Sequence, residues 1–141
     1  KWPNDILLNN KKCGGILSES RVKNNSITHM IIGFGLNINE TVNDFPSLLS
    51  DSATSLAIET NQSNQRELIC AIIATYFERL LNDLPSSLPI WENYCNHLNE
   101  IISFNQNGQN QSGLFKGLND DGRARIHIDK KEILFNSITL E

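Results

Sequence analysis

The segment at residues 5–17, DILLNNKKCGGIL, decides the fold of the first part of this chain. Its apolar runs at 6–8 and 15–17 flank the polar residues 9–12, which read NNKK. Short apolar runs separated by turn-forming residues are typical of a β-hairpin. The segment therefore predicts a strand, a polar turn, and a second strand that returns beside the first.

The register of this hairpin decides which charged side chains lie on one face. Pairing of Asn9 with Lys12 is the register that we expect from the spacing. It places Asp5 opposite Ile16 and on the same face as Lys12, because side chains alternate along a strand. Four residues of strand would separate the two charges by about 13 Å. We therefore expect Asp5 and Lys12 to flank an elongated ligand instead of pairing with each other.

A long apolar run follows the next turn signal. Residues 24–26 (NNS) predict a turn, and residues 27–39 read ITHMIIGFGLNIN, with several β-branched side chains. This run is too continuous for a strand with one exposed face. It predicts a strand that is buried on both faces at the centre of a sheet.

Two helices are predicted in the middle of the chain, after a polar segment with a short helical turn near residues 53–58. Residues 66–84 place apolar side chains at spacings of three and four, which is the pattern of an amphipathic helix. Pro85 is expected to end this helix. Ser87 is expected to cap a second helix that continues to residue 98.

Beyond residue 100 the pattern changes to short β-like runs. These runs lie at residues 101–104, 114–118, 124–128, 132–135 and 138–140, with the clearest turns at 105–112 and 119–122. An open flat sheet of such strands would expose a face and two edges, so a small barrel is the more economical arrangement. The sequence as a whole predicts an α+β chain: a mixed β-sheet with packed helices, followed by a small β-barrel.

Composition excludes several classes of protein. The chain has 141 residues and a net charge of −4, so the basic surface that binds duplex nucleic acid is not expected. No apolar run approaches the roughly 18 residues of a membrane span, so no membrane partner is expected. Three cysteines without a Cys-x-x-Cys pair indicate reduced thiols in the cytoplasm. Because Met30 is the single methionine and the chain begins with Lys1, we expect it to be part of a longer protein.

Two patterns that resemble ligand motifs carry little weight. Cys95 and His97 are the nearest approach to a metal-binding pair, but positions two apart on a helix do not share a face. Gly33 and Gly35 lie inside an apolar strand and do not open a helix, so they do not form a dinucleotide-binding fingerprint. The sequence predicts no metal site.

Specific motifs occur in a fixed order along the chain. They are WPND at residues 2–5, KKCGGILSE at 11–19, GFGLNIN at 33–39 and ATSL at 53–56. In content and spacing they resemble biotin protein ligases, and the similarity covers essentially the whole chain. The resemblance implies that residues 1–98 are the C-terminal portion of the catalytic domain and that residues 99–141 form the family's small SH3-like domain.

The resemblance implies a two-step reaction at one site. Biotin and Mg-ATP give biotinyl-5′-AMP and pyrophosphate, and a lysine amine of a biotin carboxyl carrier domain of acetyl-CoA carboxylase then attacks the mixed anhydride and releases AMP. The implied ligands are thus biotin, ATP and Mg²⁺, and the carrier domain is the implied protein partner. An exposed sheet edge would favour a homodimer. The alternative is a non-catalytic module that binds biotin or its adenylate, or that regulates through protein contacts.

One element of the family is missing from this sequence. Biotin protein ligases carry an upstream loop rich in glycine and arginine that folds over the adenylate, and no such cluster occurs in these 141 residues. We therefore expect this fragment to be inactive alone.

The resemblance also assigns the catalytic residues. Lys12 matches the family's hairpin lysine, which contacts the biotin carboxylate and the acyl phosphate that replaces it. A cation is needed there because negative charge builds up as two anionic reactants approach. Asp5 matches the acidic residue that orients or deprotonates the incoming lysine. The alternatives are a solvated loop lysine and an ordinary turn carboxylate.

The remaining site residues are assigned to the two ligands in the same way. The residues expected to line the biotin pocket beside Lys12 are Trp2, Gly14, Gly15, Ile16 and Leu17. Asn37 matches the asparagine that reads the adenine edge, and Asn4 is expected to contact ATP. The alternatives are a core position for Trp2, strand packing for the glycines, and a strand-end turn residue for Asn37.

Overall fold

The computed structural model describes residues 1–106 and 108–140 of the chain. The chain is α+β: strands fill most of residues 1–36, helices follow, and strands return after residue 100. It divides into two compact units, Lys1–Ile73 and Ala74–Glu141. The domain boundary that the sequence suggests after residue 98 stays a prediction.

The first sheet contains three antiparallel strands. They are β1 (Asp5–Leu8), β2 (Lys11–Lys23) and β3 (Ser26–Leu36), in the order β1-β2-β3. The strands are joined by two-residue turns at 9–10 and 24–25, and all four turn asparagines have φ between 49° and 63°. Two such residues match the right-handed twist of a hairpin, and asparagine tolerates this backbone conformation. Both predicted turns are confirmed, although each is shorter than the polar run suggested.

The register of β1 with β2 differs from the predicted one. Leu8 pairs with Lys11, and because a β-bulge adds one residue to β2, Asp5 pairs with Gly15. The predicted register paired Lys12 with Asn9 and put Asp5 opposite Ile16, so it is wrong by two residues at the turn and by one residue at Asp5. The tight turn and the bulge together account for the difference.

β3 is not the doubly buried strand that the sequence predicts. It lies at an edge of the sheet, and its side chains are largely exposed: Ile31 is 64% and Met30 is 50% exposed. A strand becomes buried on both faces only where a layer packs against each side. The described residues do not supply both layers for β3.

The predicted mixed sheet is an antiparallel sheet with one parallel contact beside it. Lys12 forms an isolated parallel bridge with Ala53. The Lys12 N–H donates to the Ser52 carbonyl at 2.7 Å, and the Thr54 N–H donates to the Lys12 carbonyl at 2.9 Å. Because Thr54 is fully buried, this bridge fixes the segment at 52–54 against the first hairpin.

Helices occupy the middle of the chain. Two single-turn 3₁₀ helices (Val42–Asp44 and Ser47–Leu49) precede α1 (Leu56–Thr60), α2 (Arg66–Leu81) and α3 (Leu84–Tyr94). The two longer helices confirm the predicted pair, but their junction differs. Ser87 does not cap α3; it lies inside the helix, and its hydroxyl donates to the Leu84 carbonyl at 2.6 Å. Pro85 occupies the first turn of α3, where a missing N–H is tolerated, and does not end α2.

The second unit contains a five-stranded antiparallel sheet. Its strands are β4 (Ile101–Gln106), β5 (Gln109–Leu118), β6 (Ala124–Ile128), β7 (Lys131–Phe135) and β8 (Thr139–Leu140), in the order β7-β6-β5-β4-β8. The five predicted runs are therefore confirmed, although the turn expected at 105–112 is much shorter. Residue 107, within that turn, and residue 141 lie outside the described residues. The core of the sheet includes Phe104, Phe115 and Ile126, which are fully buried.

The connection between β7 and β8 shows that this sheet curls. The two strands form its opposite edges, yet they are joined by residues 136–138 alone. That connection spans at most about 14 Å, whereas the outer strands of a flat five-stranded sheet lie about 19 Å apart. The sheet must therefore bend its edges toward each other.

In the part of the chain that the structure describes, the helices are too short or too polar to cross a bilayer.

Candidate functional site

An open cavity of about 530 Å³ lies against the first sheet. Six of the nine predicted site residues line it, namely Asn4, Asp5, Lys12, Gly15, Ile16 and Leu17. Three residues that the sequence reasoning did not assign to the site, Gly33, Phe34 and Gly35, line it as well. Its volume is within the range of about 300–1,000 Å³ that is common for small-molecule sites.

Glycines leave part of the cavity floor without side chains. Gly15 pairs with Gly35, and Leu17 pairs with Gly33, so these positions share one face of the sheet. A Cβ at Gly33 or Gly35 would come no closer than 3.8 Å to a neighbouring atom. A flat ligand ring could therefore approach the backbone closely here. The sequence signal was the Gly-x-Gly pattern inside an apolar strand, which indicates close backbone approach.

The two predicted catalytic residues form an ion pair at the cavity. Lys12 Nζ lies 2.6 Å from Asp5 Oδ1, so the predicted separation of about 13 Å is wrong. The β-bulge places Gly15 opposite Asp5, and the Lys12 side chain passes over this glycine: a Cβ there would lie 3.9 Å from Lys12 Cε. A side chain at position 15 would leave less room for the Lys12 side chain to reach Asp5.

This ion pair is accessible to solvent. The Lys12 side chain is 55% exposed and the Asp5 side chain 31% exposed. Ion pairs this accessible contribute only about 0–1 kcal/mol to stability. A ligand anion can therefore replace Asp5 as the partner of Lys12 at low cost.

Three predicted site residues do not line the cavity. Trp2 is 6% exposed and lies in the core. A Cβ at Gly14 would collide with the Gly35 carbonyl oxygen, so this glycine serves close packing of β2 against β3. Asn37 Nδ2 donates to the Thr54 carbonyl at 3.0 Å, beside the parallel bridge. These three residues therefore lie outside the lining of the cavity.

Glu59 of α1 links the hairpin turn to the buried segment beside Lys12. Its Oε1 accepts a hydrogen bond from Thr54 Oγ1 at 2.6 Å, and its Oε2 accepts one from Asn9 Nδ2 at 2.5 Å. These two bonds, first that of Thr54 and then that of Asn9, lower the pKa of the Glu59 carboxyl group. The group is therefore ionised at neutral pH. No sequence motif marked this residue.

Neither a thiol nucleophile nor a metal cluster lies at this site. Cys13 is 1% exposed, and burial, together with the negative charges of Glu59 and Glu40, raises the pKa of its thiol. A protonated, buried thiol is a poor nucleophile. Among residues 1–106 and 108–140, no group of three or more His, Cys, Asp or Glu side chains is placed to hold a metal ion.

The glycines provide a test of the cavity face. We expect Gly14→Ala to lower the free energy of unfolding by about 1–3 kcal/mol, because its Cβ overlaps a backbone oxygen. Gly35→Ala is the matched control, because its Cβ makes only ordinary contacts and should change stability by less than about 0.5 kcal/mol. Urea unfolding measures both values. Equal losses would show that Gly14 and Gly35 do not differ in their surroundings as described.

Comparison with known proteins places this region in a family. Residues 1–37 match the sequence model described as the Biotin/lipoate A/B protein ligase family. The bifunctional ligase/repressor BirA of Bacillus subtilis (strain 168) is 36% identical over 132 residues, which cover 86% of this chain and 39% of BirA. The biotin–acetyl-CoA-carboxylase ligase of Paracoccus denitrificans is 29% identical over 130 residues, covering 86% of this chain and 53% of that protein. The chain thus spans about two fifths of the BirA relative.

The fold also matches solved structures. The apo structure of biotin protein ligase from Aquifex aeolicus aligns with a TM-score of 0.82 and 22% identity, over 99% of this chain and 63% of that one. The structure of the same ligase in complex with biotin and ATP aligns with a TM-score of 0.75 and 24% identity, over 99% and 60%. At this level of identity, the match establishes a shared fold.

Proposed function

We propose that this chain, which belongs to the biotin protein ligase family, carries part of the site where biotinyl-5′-AMP is formed and biotin is transferred to a carrier lysine. The observation that supports this most directly is the cavity at the first hairpin. There Lys12 and Asp5 lie side by side above a glycine floor, within the residues that match the family. The chemistry needs one cation, one carboxylate and room for a ring.

In the first step, Lys12 binds the biotin carboxylate as it attacks the α-phosphate of ATP. A new bond forms between a carboxylate oxygen and phosphorus, and the bond to the leaving pyrophosphate breaks. Both reactants are anionic, so the ammonium group reduces their repulsion as negative charge accumulates. Lys12 exchanges its Asp5 partner for the ligand, which the exposure of the pair allows.

In the second step, Asp5 assists the acceptor lysine. The amine nitrogen attacks the acyl carbon of the anhydride, the bond from that carbon to the phosphate oxygen breaks, and AMP leaves. The amine must lose a proton to form the amide, and a carboxylate at hydrogen-bond distance can accept it. The exchange of Lys12 onto the ligand leaves the Asp5 carboxylate available for this role.

ATP enters as Mg-ATP, with Mg²⁺ as part of the substrate. For the nucleotide we propose contacts from Asn4, which lines the cavity, and Asn37, which lies beside the parallel bridge. An asparagine amide offers two N–H donors and one acceptor. One donor of Asn37 holds the Thr54 carbonyl. Its remaining hydrogen-bonding groups suit an adenine edge.

For the whole chain we propose the family's organisation, with part of the catalytic domain over residues 1–98 and an SH3-like barrel over residues 99–141. The curled second sheet supports the barrel. The exposed apolar side chains of β3 support a larger catalytic sheet. The edge of the first sheet at β3 favours a homodimer. The acceptor would be the carrier domain of a cytoplasmic acetyl-CoA carboxylase.

The test is biotin transfer by the complete ligase. The protein is incubated with biotin, Mg-ATP and a biotin carboxyl carrier domain, and the carrier is followed by intact mass. We expect one biotin per carrier and biotin-dependent release of AMP; a carrier with arginine in place of its acceptor lysine is the control. Biotin binding without AMP release would favour the alternative of a non-catalytic biotin-binding module. In the same assay the 141-residue chain alone is expected to leave the carrier unmodified.

A further inference from the structure

We propose that Glu59 is a positioning residue for Lys12, acting through Thr54 and Asn9, so that the carboxylate of α1 sets where the site's ammonium group lies. This inference rests on the function proposed above, because it assigns Glu59 to the adenylation step through Lys12. Glu59 does not line the cavity. Its influence passes through two hydrogen bonds to the segments on either side of Lys12.

The first connection runs through the buried segment. Thr54 is fully buried, and its N–H donates to the Lys12 carbonyl at 2.9 Å. Its hydroxyl donates to Glu59 Oε1 at 2.6 Å. The Thr54 hydroxyl is out of contact with water, so the Glu59 carboxylate supplies the acceptor that it needs. Glu59 thus fixes the rotamer of Thr54 and, through the backbone, the position of Lys12.

The second connection runs through the hairpin turn. Asn9 is the first turn residue, with φ of 49°, and its amide donates to Glu59 Oε2 at 2.5 Å. β1 has only four residues, and so short a hairpin is marginal without other support. The second carboxylate oxygen anchors the turn to α1. One side chain therefore holds the turn and the bridge segment at a fixed separation.

Lys12 lies between these two anchors and next to the β-bulge. A bulge redirects the side chains near it, so the direction of Lys12 depends on how firmly the local backbone is held. Lys12 is two residues beyond the turn, and both its N–H and its carbonyl are bound to the 52–54 segment. Loss of the Glu59 carboxylate would release the turn and unpair the Thr54 hydroxyl. The Lys12 ammonium group would then lose its fixed place beside Asp5.

The inference is tested in the complete ligase by measuring biotinyl-AMP formation, as pyrophosphate release, in two backgrounds. With Lys12 present, Glu59→Ala should slow adenylation by about 10-fold, because misplacement of a reacting group by a fraction of an ångström already costs rate. With Lys12→Ala, the same change should cost less than about 2-fold, since residues that act through one group are not additive. Glu59→Gln should stay within about 3-fold of the native rate, because an amide can still accept from Thr54 and donate to a rotated Asn9 amide.

Two further variants complete the design. Glu78→Ala removes an exposed carboxylate from α2 and should leave the rate unchanged. Asn9→Gly removes one of the two anchors while keeping a residue that accepts a positive φ. It should show a smaller loss than Glu59→Ala, again only when Lys12 is present, and it replaces Glu59→Ala if that variant does not fold.

The outcomes separate this inference from the proposed function. An equal fold-loss for Glu59→Ala in both backgrounds would overturn the positioning role and indicate a general structural one. A Glu59→Gln enzyme as slow as Glu59→Ala would also overturn it. A Lys12→Ala enzyme with the native rate would overturn the proposed function itself, and the positioning role with it.

Discussion

Replacing Lys12 by alanine is expected to lower the rate of biotinyl-AMP formation in the complete ligase by about 100-fold or more. A preorganised charge contact to a developing anion is worth about 2.7–4 kcal/mol in the transition state. Lys12 is the basic side chain that lines the cavity among the described residues, and its ammonium group is 2.6 Å from the carboxylate it would exchange for the ligand. The loss is measured as pyrophosphate release at saturating ATP.

The fold should survive this change. The Lys12 side chain is 55% exposed, and its ion pair with Asp5 is of the accessible kind that adds little stability. Its backbone bonds to Ser52 and Thr54 do not depend on the side chain. Lys11→Ala is the matched control, because Lys11 is the adjacent lysine and does not line the cavity. An unchanged adenylation rate in Lys12→Ala, or equal losses in both variants, would remove Lys12 from the mechanism.

The parts of the fold that the sequence predicted correctly are those with local physical signals. The turns at 9–10 and 24–25 each contain two asparagines, which tolerate the positive φ that tight hairpins need. The helices at 66–81 and 84–94 have apolar spacings of three and four. Because these preferences act within a few residues, they remain visible without any knowledge of tertiary contacts.

The β-bulge had no such signal, and the geometry of the site depends on it. The two-residue turn and the extra residue in β2 together change the partner of Asp5 from Ile16 to Gly15, and the side chain of Lys12 then reaches Asp5 across a glycine. The motif grouped Lys12 with Asp5, and both line the cavity, but it did not give the distance between their charges. A period-two pattern fixes neither the length of the turn nor the place of a bulge, and together these two features change a predicted separation of about 13 Å into direct contact.

Two other outcomes depend on tertiary structure. The apolar run in β3 correctly indicates a strand, but its burial depends on layers that a sequence window does not contain, and Ile31 remains 64% exposed. Glu59 could not be identified from the sequence, because an isolated glutamate in a five-residue helix forms no motif. Its partners Asn9 and Thr54 lie 50 and 5 residues away, so only the folded chain shows that they share one carboxylate.

Replacing Asp5 by asparagine should affect the two chemical steps differently. Asparagine has nearly the same shape but cannot accept the proton of the incoming amine, so transfer to the carrier lysine should slow by about 100-fold or more. Biotin binding should be equal or up to about 5-fold tighter, because the ligand carboxylate no longer competes with an ion pair worth at most about 1 kcal/mol. Adenylate formation should therefore stay close to the native rate.

These opposite expectations come from one observed contact, the 2.6 Å pair between Asp5 and Lys12. Adenylate formation is measured by pyrophosphate release, and transfer is measured by adding carrier domain to enzyme that already holds biotinyl-AMP. Asp51→Asn, which changes an exposed aspartate outside the cavity, is the control and should leave both rates unaltered. If Asp5→Asn slows both steps equally, Asp5 positions biotin or ATP and is not the base. If biotin binding weakens, the carboxylate supports Lys12 and does not compete for it, because removal of a competitor can only strengthen binding.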